Sequence, residues 1–278
     1  MGYTKRGFVD YDPNKPLKAE QLIAMEDAIL DNEHRIDSLE NGGGSASSLD
    51  GLNVLCLGDS ITFGQGVATE NKWTTLLKNR HNWNLTVQAA GGIALSSHWY
   101  TNNDSSDVSI CKKAETIASM ATKPDIVIVW GGHNDISYRY APVGSFDDLA
   151  SQDTSGVLAT KADRNSFSGA LRYIAELVHK YAPNATMFVL TTEWRSLTPE
   201  KLKVPDGTTD TERDFNEAVF EGARYFGWIP INMQLCGITP FTLSKYTGDG
   251  IHPNADGAKL VANYLSSELA KQYRIKTE

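Results

Sequence analysis

Apolar positions along this chain recur in two rhythms, and the change between them divides it. Leu22, Met25, Ile29, Asn32, Ile36 and Leu39 fall at alternating spacings of three and four. This is a heptad seam, with Leu22, Ile29 and Ile36 at a and with Met25, Asn32 and Leu39 at d. Glu20, Glu26, Asp27, Asp31, Glu33, Arg35 and Asp37 make the charged face between them. The stripe is narrow, and a lone helix over residues 17–40 is marginal in water. Self-association along the seam is therefore expected, in preference to docking on a domain of the same chain. Asn32 would set register and strand number at a cost in stability. A polar arm, residues 1–16, precedes the helix, and a Gly/Ser linker, residues 41–48, follows it.

From Leu49 the rhythm becomes strand, helix, strand. Strands are predicted at Leu52–Leu57, Leu85–Ala89, Asp125–Trp130, Thr186–Leu190 and Trp228–Asn232. Asp125–Trp130 is apolar without alternation, as in a strand covered on both faces. Helices are predicted at Trp73–Asn79, Lys112–Met120, Arg164–Tyr181, Thr211–Phe226 and Asn254–Tyr273. Such repeating units imply an α/β fold, a five-stranded parallel sheet with helices on both sides, spanning residues 49–278. The polar span Ser137–Asp163 reads as an insertion on the sheet edge where open parallel sheets bind ligands.

Composition narrows the class. The net charge of -8 argues against a nucleic-acid binder, which would carry a basic footprint. Cys56, Cys111 and Cys236 are widely spaced, with no Cys-x-x-Cys pair, so neither structural zinc nor a disulfide framework is expected. No apolar run reaches the ~20 residues of a membrane helix. Residues 1–12 lack the apolar core of a signal peptide. The expected location is the cytoplasm where the chain is made.

Candidate chemistry gathers at the predicted strand ends. Ser60 follows the first strand in Gly58-Asp59-Ser60, and Gly91-Gly92 follows the second. Gly131-Gly132-His133-Asn134-Asp135 follows the third, and Asp249-Gly250-Ile251-His252 precedes the last helix. A serine hydroxyl needs a base to become a nucleophile. His252 can supply it, and Asp249 can orient the imidazole and stabilise its charged form. Attack on an ester carbonyl makes an oxyanion, for which the Ser60 and Gly92 amides and the Asn134 side chain would be donors. Read singly, each block is ordinary: Ser60 a helix N-cap, Gly91-Gly92 a tight turn, Asn134-Asp135 a strand end. Their order and placement make the joint reading stronger than its parts.

These four blocks resemble the SGNH or GDSL-type hydrolases. The match runs through Gly58-Asp59-Ser60, Gly92, Gly132-His133-Asn134-Asp135 and Asp249-Gly250-Ile251-His252, with Pro253-Asn254-Ala255-Asp256-Gly257 after it. The second block departs from the family pattern, so the oxyanion glycine is open between Gly92, the choice made here, and Gly91. The resemblance implies a flavodoxin-like three-layer α/β/α fold. It also implies esterase, lipase or carbohydrate-deacetylase activity without a metal or other cofactor, with Ser60, Asp249 and His252 as the triad.

Trp73, His98, Trp99, Tyr100, Tyr138, Tyr140, Trp194 and Arg195 are candidates for a pocket rim, with Asp59 and His133 as further substrate contacts. Trp73 has the alternative of packing under its own helix. No long apolar lid is present, which favours a short acyl group, acetyl first, on a carbohydrate. Two other readings stand beside this one: a non-catalytic glycan-binding appendage, and a metal phosphoesterase built on Asp59, His133, Asn134, Asp135, Asp249 and His252. The nucleophile-elbow and P-loop readings fail, because Thr62 stands where the elbow needs glycine and no Gly-Lys-Ser/Thr follows the turn. The N-terminal stretch Gly7-Phe8-Val9-Asp10-Tyr11, with Lys15-Pro16-Leu17-Lys18-Ala19-Glu20, resembles the start of phage or prophage tail-associated proteins. That resemblance implies a homotrimer through residues 17–40, association with phage particles or release by lysis, and a bacterial surface glycan as substrate.

Overall fold

The computed structural model describes residues 48–100, 106–137, 141–146, 164–194 and 210–273. The expected heptad helix, the linker up to Ser47, Tyr138, Tyr140, Arg195 and most of the insertion after strand three lie outside the described residues.

Strands β1 (Asn53–Gly58), β2 (Asn84–Ala89), β3 (Ile126–Trp130), β4 (Thr186–Leu190) and β5 (Ile229–Ile231) form one sheet in the order β2-β1-β3-β4-β5. Every neighbouring pair is parallel. β1 is bonded on both sides, Gly58 lying opposite Ala89 of β2 and Trp130 of β3. From β1 the chain lays down β2 on one side and β3, β4 and β5 on the other. The order therefore reverses between β1 and β3, and open sheets bind ligands at the carboxyl ends of the strands beside such a point.

Alternation along the strands feeds two cores. Leu55, Leu57, Val127, Val129, Met187 and Val189 point to one face, under α6 (Phe167–Tyr181) and α7 (Glu212–Phe226). Val54, Cys56, Ile126, Ile128, Trp130, Phe188 and Leu190 point to the other, under α2 (Trp73–His81) and α9 (Ala255–Gln272). Both faces of β3 are buried, which is why its sequence shows no polar alternation. Each such aliphatic or aromatic side chain contributes roughly 1.5–3 kcal/mol by leaving water. Cys56, Cys111 and Cys236 are reduced and buried among these groups.

Caps set the helix ends. Ser166 accepts the Gly169 N–H, so α6 starts at Phe167 rather than at Arg164. Thr211 and Asp214 form a reciprocal capping box on α7. Asn254 accepts from Asp256 and Gly257 at the start of α9. The helix expected at Lys112–Met120 is instead two short ones, α3 (Ile110–Lys113) and α4 (Thr116–Ser119). The N–H groups of Glu115, Ile117 and Ala118 bond three residues back, which tightens the chain between them. There the Glu115 carboxylate takes the Tyr173 hydroxyl, and Lys112 and Arg164 sit beside it.

Candidate active site

β1 ends in a turn with no room for a side chain at Gly58: a methyl there would collide with Thr62 and with the Trp130 carbonyl of β3. The chain then enters α1 (Ser60–Phe63), a single turn of helix. Its N-cap is Asp59, whose Oδ1 accepts the Ile61 N–H at 3.0 Å. Ser60 is thus not the cap, and its hydroxyl is left for other partners. Gly64, with φ 76°, ends the turn and returns its N–H to the Ile61 and Ser60 carbonyls. The Trp73 indole donates to the Ile61 carbonyl at 3.2 Å. Trp73 is buried, edge-on to Trp130 at 5.6 Å between centroids, so it belongs to the core and not to a pocket rim.

The loop between α8 (Leu243–Tyr246) and α9 comes to this turn from the far end of the sequence. It is closed by an antiparallel bridge between Thr247 and Pro253 and by the Gly248 N–H on the His252 carbonyl. Inside it, Oδ1 of Asp249 accepts the N–H groups of Ile251 and His252 at 3.0 and 2.8 Å. Oδ2 of Asp249 is 2.8 Å from Nδ1 of His252. A carboxylate only accepts, so Nδ1 carries the proton and Nε2 presents a lone pair. Nε2 lies 2.9 Å from Oγ of Ser60. Partial burial works against the Asp249 charge, but those two N–H groups and the imidazole outweigh it and hold the carboxyl below its usual range.

The loops after β2 and β3 are fastened to each other. Gly92 is half-buried in a left-handed conformation, φ 69°, with open space where a side chain would point. Gly91 is exposed and faces Gln65. The short helix α5 (His133–Ser137) starts just after β3. The Asn134 amide donates to the Ile93 carbonyl at 2.9 Å. Asp135 is fully buried and accepts the N–H groups of Leu95 and Ser96 at 2.7 and 2.9 Å. Burial raises its pKa, and those two amides oppose the rise. Asp135 therefore staples the Gly92 loop to the end of β3.

The model of the GDSL-like lipase/acylhydrolase family matches residues 56–260. The chain belongs to that family. Solved structures share its fold. A protein from Lactobacillus plantarum is 20% identical with TM-score 0.64, over 81% of this chain and 99% of that one. A protein described as a possible lipase, from Chitinophaga pinensis, is 19% identical with TM-score 0.55, over 79% and 98%. A carbohydrate acetylesterase from Sinorhizobium meliloti is 16% identical with TM-score 0.55, over 80% and 100%. No curated protein sequence matches the chain.

Other residues of this GDSL hydrolase stand in various places. Trp99, in a short turn with His98 and the half-buried Tyr100, is 58% exposed, and Trp194, past β4, is 36% exposed. Asp59 and His133, expected as substrate contacts, lie inside the protein instead. Asp59 caps α1, and the His133 ring stands between Asp59 and Glu193, leaving neither group free for a substrate. Glu193 was not singled out from sequence. Its one visible sign is an acidic residue three places after a strand that faces two cores.

Proposed function

We propose that this chain is a metal-independent serine esterase that removes short acyl groups, acetyl first, from a carbohydrate through an acyl-enzyme. The observation that carries the reading is the line from Asp249 through His252 to Ser60, with contacts of 2.8 and 2.9 Å. Oγ of Ser60 bonds to the ester carbonyl carbon as its proton passes to Nε2 of His252. Asp249 stabilises the imidazolium. The intermediate then breaks its bond to the alcohol oxygen, which takes the proton from His252. Water repeats the sequence against the acyl-serine, releasing the carboxylic acid and restoring Ser60. Negative charge on the carbonyl oxygen is met by the N–H groups of Ser60 and Gly92. The second hydrogen of the Asn134 amide, the one not on Ile93, joins them.

The metal phosphoesterase reading has less support, because among the described residues no three His, Cys, Asp or Glu side chains group as a metal site. Asp59 and His133 are engaged together, Asp135 holds backbone amides, and Asp249 and His252 hold each other. The exposed Trp99 and Trp194 faces suit sugar rings, and the name of the Sinorhizobium meliloti structure agrees with an acetylated carbohydrate. The test is a chain-length series of nitrophenyl esters beside acetylated oligosaccharides. Acetyl is expected to exceed octanoyl at least tenfold in kcat/KM, with acetate released from the sugars. Preference for octanoyl would remove the deacetylase assignment. Sugar binding with no hydrolysis would favour the non-catalytic appendage.

Assembly as a homotrimer through residues 17–40 is part of the same proposal, supported by the heptad seam. Light scattering should give about three protomer masses for the full chain and one for a chain starting at Leu49. Two monomers would end the coiled-coil reading.

A further inference from the structure

Behind the Ser60 turn lies a second line of charge that the acyl-transfer scheme leaves unused. Asp59, His133 and Glu193 are 0%, 4% and 1% exposed. Nε2 of His133 is 2.8 Å from Oε2 of Glu193, and Nδ1 is 3.3 Å from Oδ2 of Asp59. Trp130 packs edge-on to the ring, 6.4 Å between centroids. Both carboxylates act on the ring as charges. A neutral imidazole donates from one nitrogen only; Nε2 donates to Glu193, and Nδ1 meets Oδ2 of Asp59 as a charge contact outside hydrogen-bond geometry, an arrangement that favours the doubly protonated ring. Burial works against that charge, but Glu193 and then Asp59 outweigh it and push the pKa up to about 10.

We propose that His133 is a positioning residue for the nucleophile: an imidazolium, hydrogen-bonded to Glu193 and paired by charge with Asp59, that fixes the Asp59 carboxylate and, through it, the turn that carries Ser60. The inference rests on the reading of Ser60 given above. The two oxygens of Asp59 divide the work. Oδ1 takes the Ile61 N–H, and Oδ2 faces Nδ1 of His133. Rotation of the carboxylate would break the first contact, and the second resists that rotation. Glu193 holds the other nitrogen, while the His133 carbonyl accepts the Ser137 hydroxyl within α5. The ring thus ties the end of β1 to the segment beyond β4. Asn134, the proposed oxyanion donor, is the next residue along.

A cluster that served stability alone would make turnover follow melting temperature. The positioning role separates them, and two amides can show it. The amide nitrogen of asparagine stands the same number of bonds from Cα as Nδ1, and that of glutamine the same number as Nε2. His133→Asn therefore keeps a donor toward Asp59 and leaves Glu193 unpaired. His133→Gln keeps the donor toward Glu193 and releases Asp59. The readouts are kcat and KM on nitrophenyl acetate, and the rate of Ser60 labelling by a fluorophosphonate, all well below each variant's Tm. His133→Gln is expected to lose at least tenfold in kcat with KM within threefold, and labelling should slow equally. His133→Asn should stay within threefold of the native kcat although its Tm falls. Should either variant fail to fold, Asp59→Asn keeps the cap oxygen, removes the charge facing His133, and should show the same tenfold loss.

The charge has its own signature. The pKa is raised above its ordinary 6.5, so the ring's stabilisation is complete below about 6.5 and is lost as pH rises through about 10. Native Tm should fall across that window, and the fall should be smaller in His133→Asn. Folded variants with native kcat, or kcat that follows Tm in both amides, would overturn the proposal while leaving the esterase reading intact. A native chain that neither hydrolyses esters nor labels at Ser60 would overturn both.

Discussion

Replacing Ser60 with alanine will lower ester turnover by roughly 10⁴- to 10⁶-fold, the scale seen when a hydrolase loses its nucleophile. The fold should not follow. The α1 cap is the Asp59 carboxylate, and the Ser60 carbonyl still accepts from Gly64 and Gln65. The hydroxyl's described partner is His252, which keeps its bonds to Asp249 after the change. Melting temperature should therefore move by a few degrees at most. A steady-state assay with nitrophenyl acetate, corrected for spontaneous hydrolysis, gives the answer. Retained turnover in the folded variant would remove Ser60 from the mechanism.

Replacing Asn134 with alanine should cost roughly 10²- to 10³-fold in kcat, with KM within about threefold, as expected for an oxyanion donor that acts on charge developing in the transition state. The variant also releases the Ile93 carbonyl. The loop should hold nonetheless, because Asp135 still binds the Leu95 and Ser96 amides. That second fastening makes the measurement clean: a loss in kcat without a loss in fold points to the amide, not to the loop. Unchanged kcat would reduce Asn134 to a loop contact.

What sequence could show followed from short-range pattern. The bounds of β4 were legible because Thr186–Leu190 is a compact apolar run, and those of α7 because Thr211 and Asp214 cap it. Ser60, Asp249 and His252 were legible as a group because each follows or precedes a strong element. Their distances then depend on the parallel sheet, which brings together residues 192 positions apart. Residues whose surroundings come from several strands were not legible. Asp59 looks like a ligand-facing carboxylate until β1, β3 and β4 close over it. Glu193 has only its place after β4 to mark it, and its partner stands 60 positions away. Trp73 was open between rim and core until Trp130 supplied the surface it packs on. Glu115, where the expected helix divides into α3 and α4, is met by Tyr173 and Arg164, which come from a later part of the chain.

The three buried cysteines have a practical consequence. Cys111 and Cys236 have thiols pushed up to about 11 by burial, and Cys56 is raised further by the same cause. They are the chain's complete set. In the native state none presents a thiolate to a modifying reagent at neutral pH. A maleimide pulse therefore counts opened molecules directly, and a cysteine introduced on the surface can carry a dye without the others first being removed.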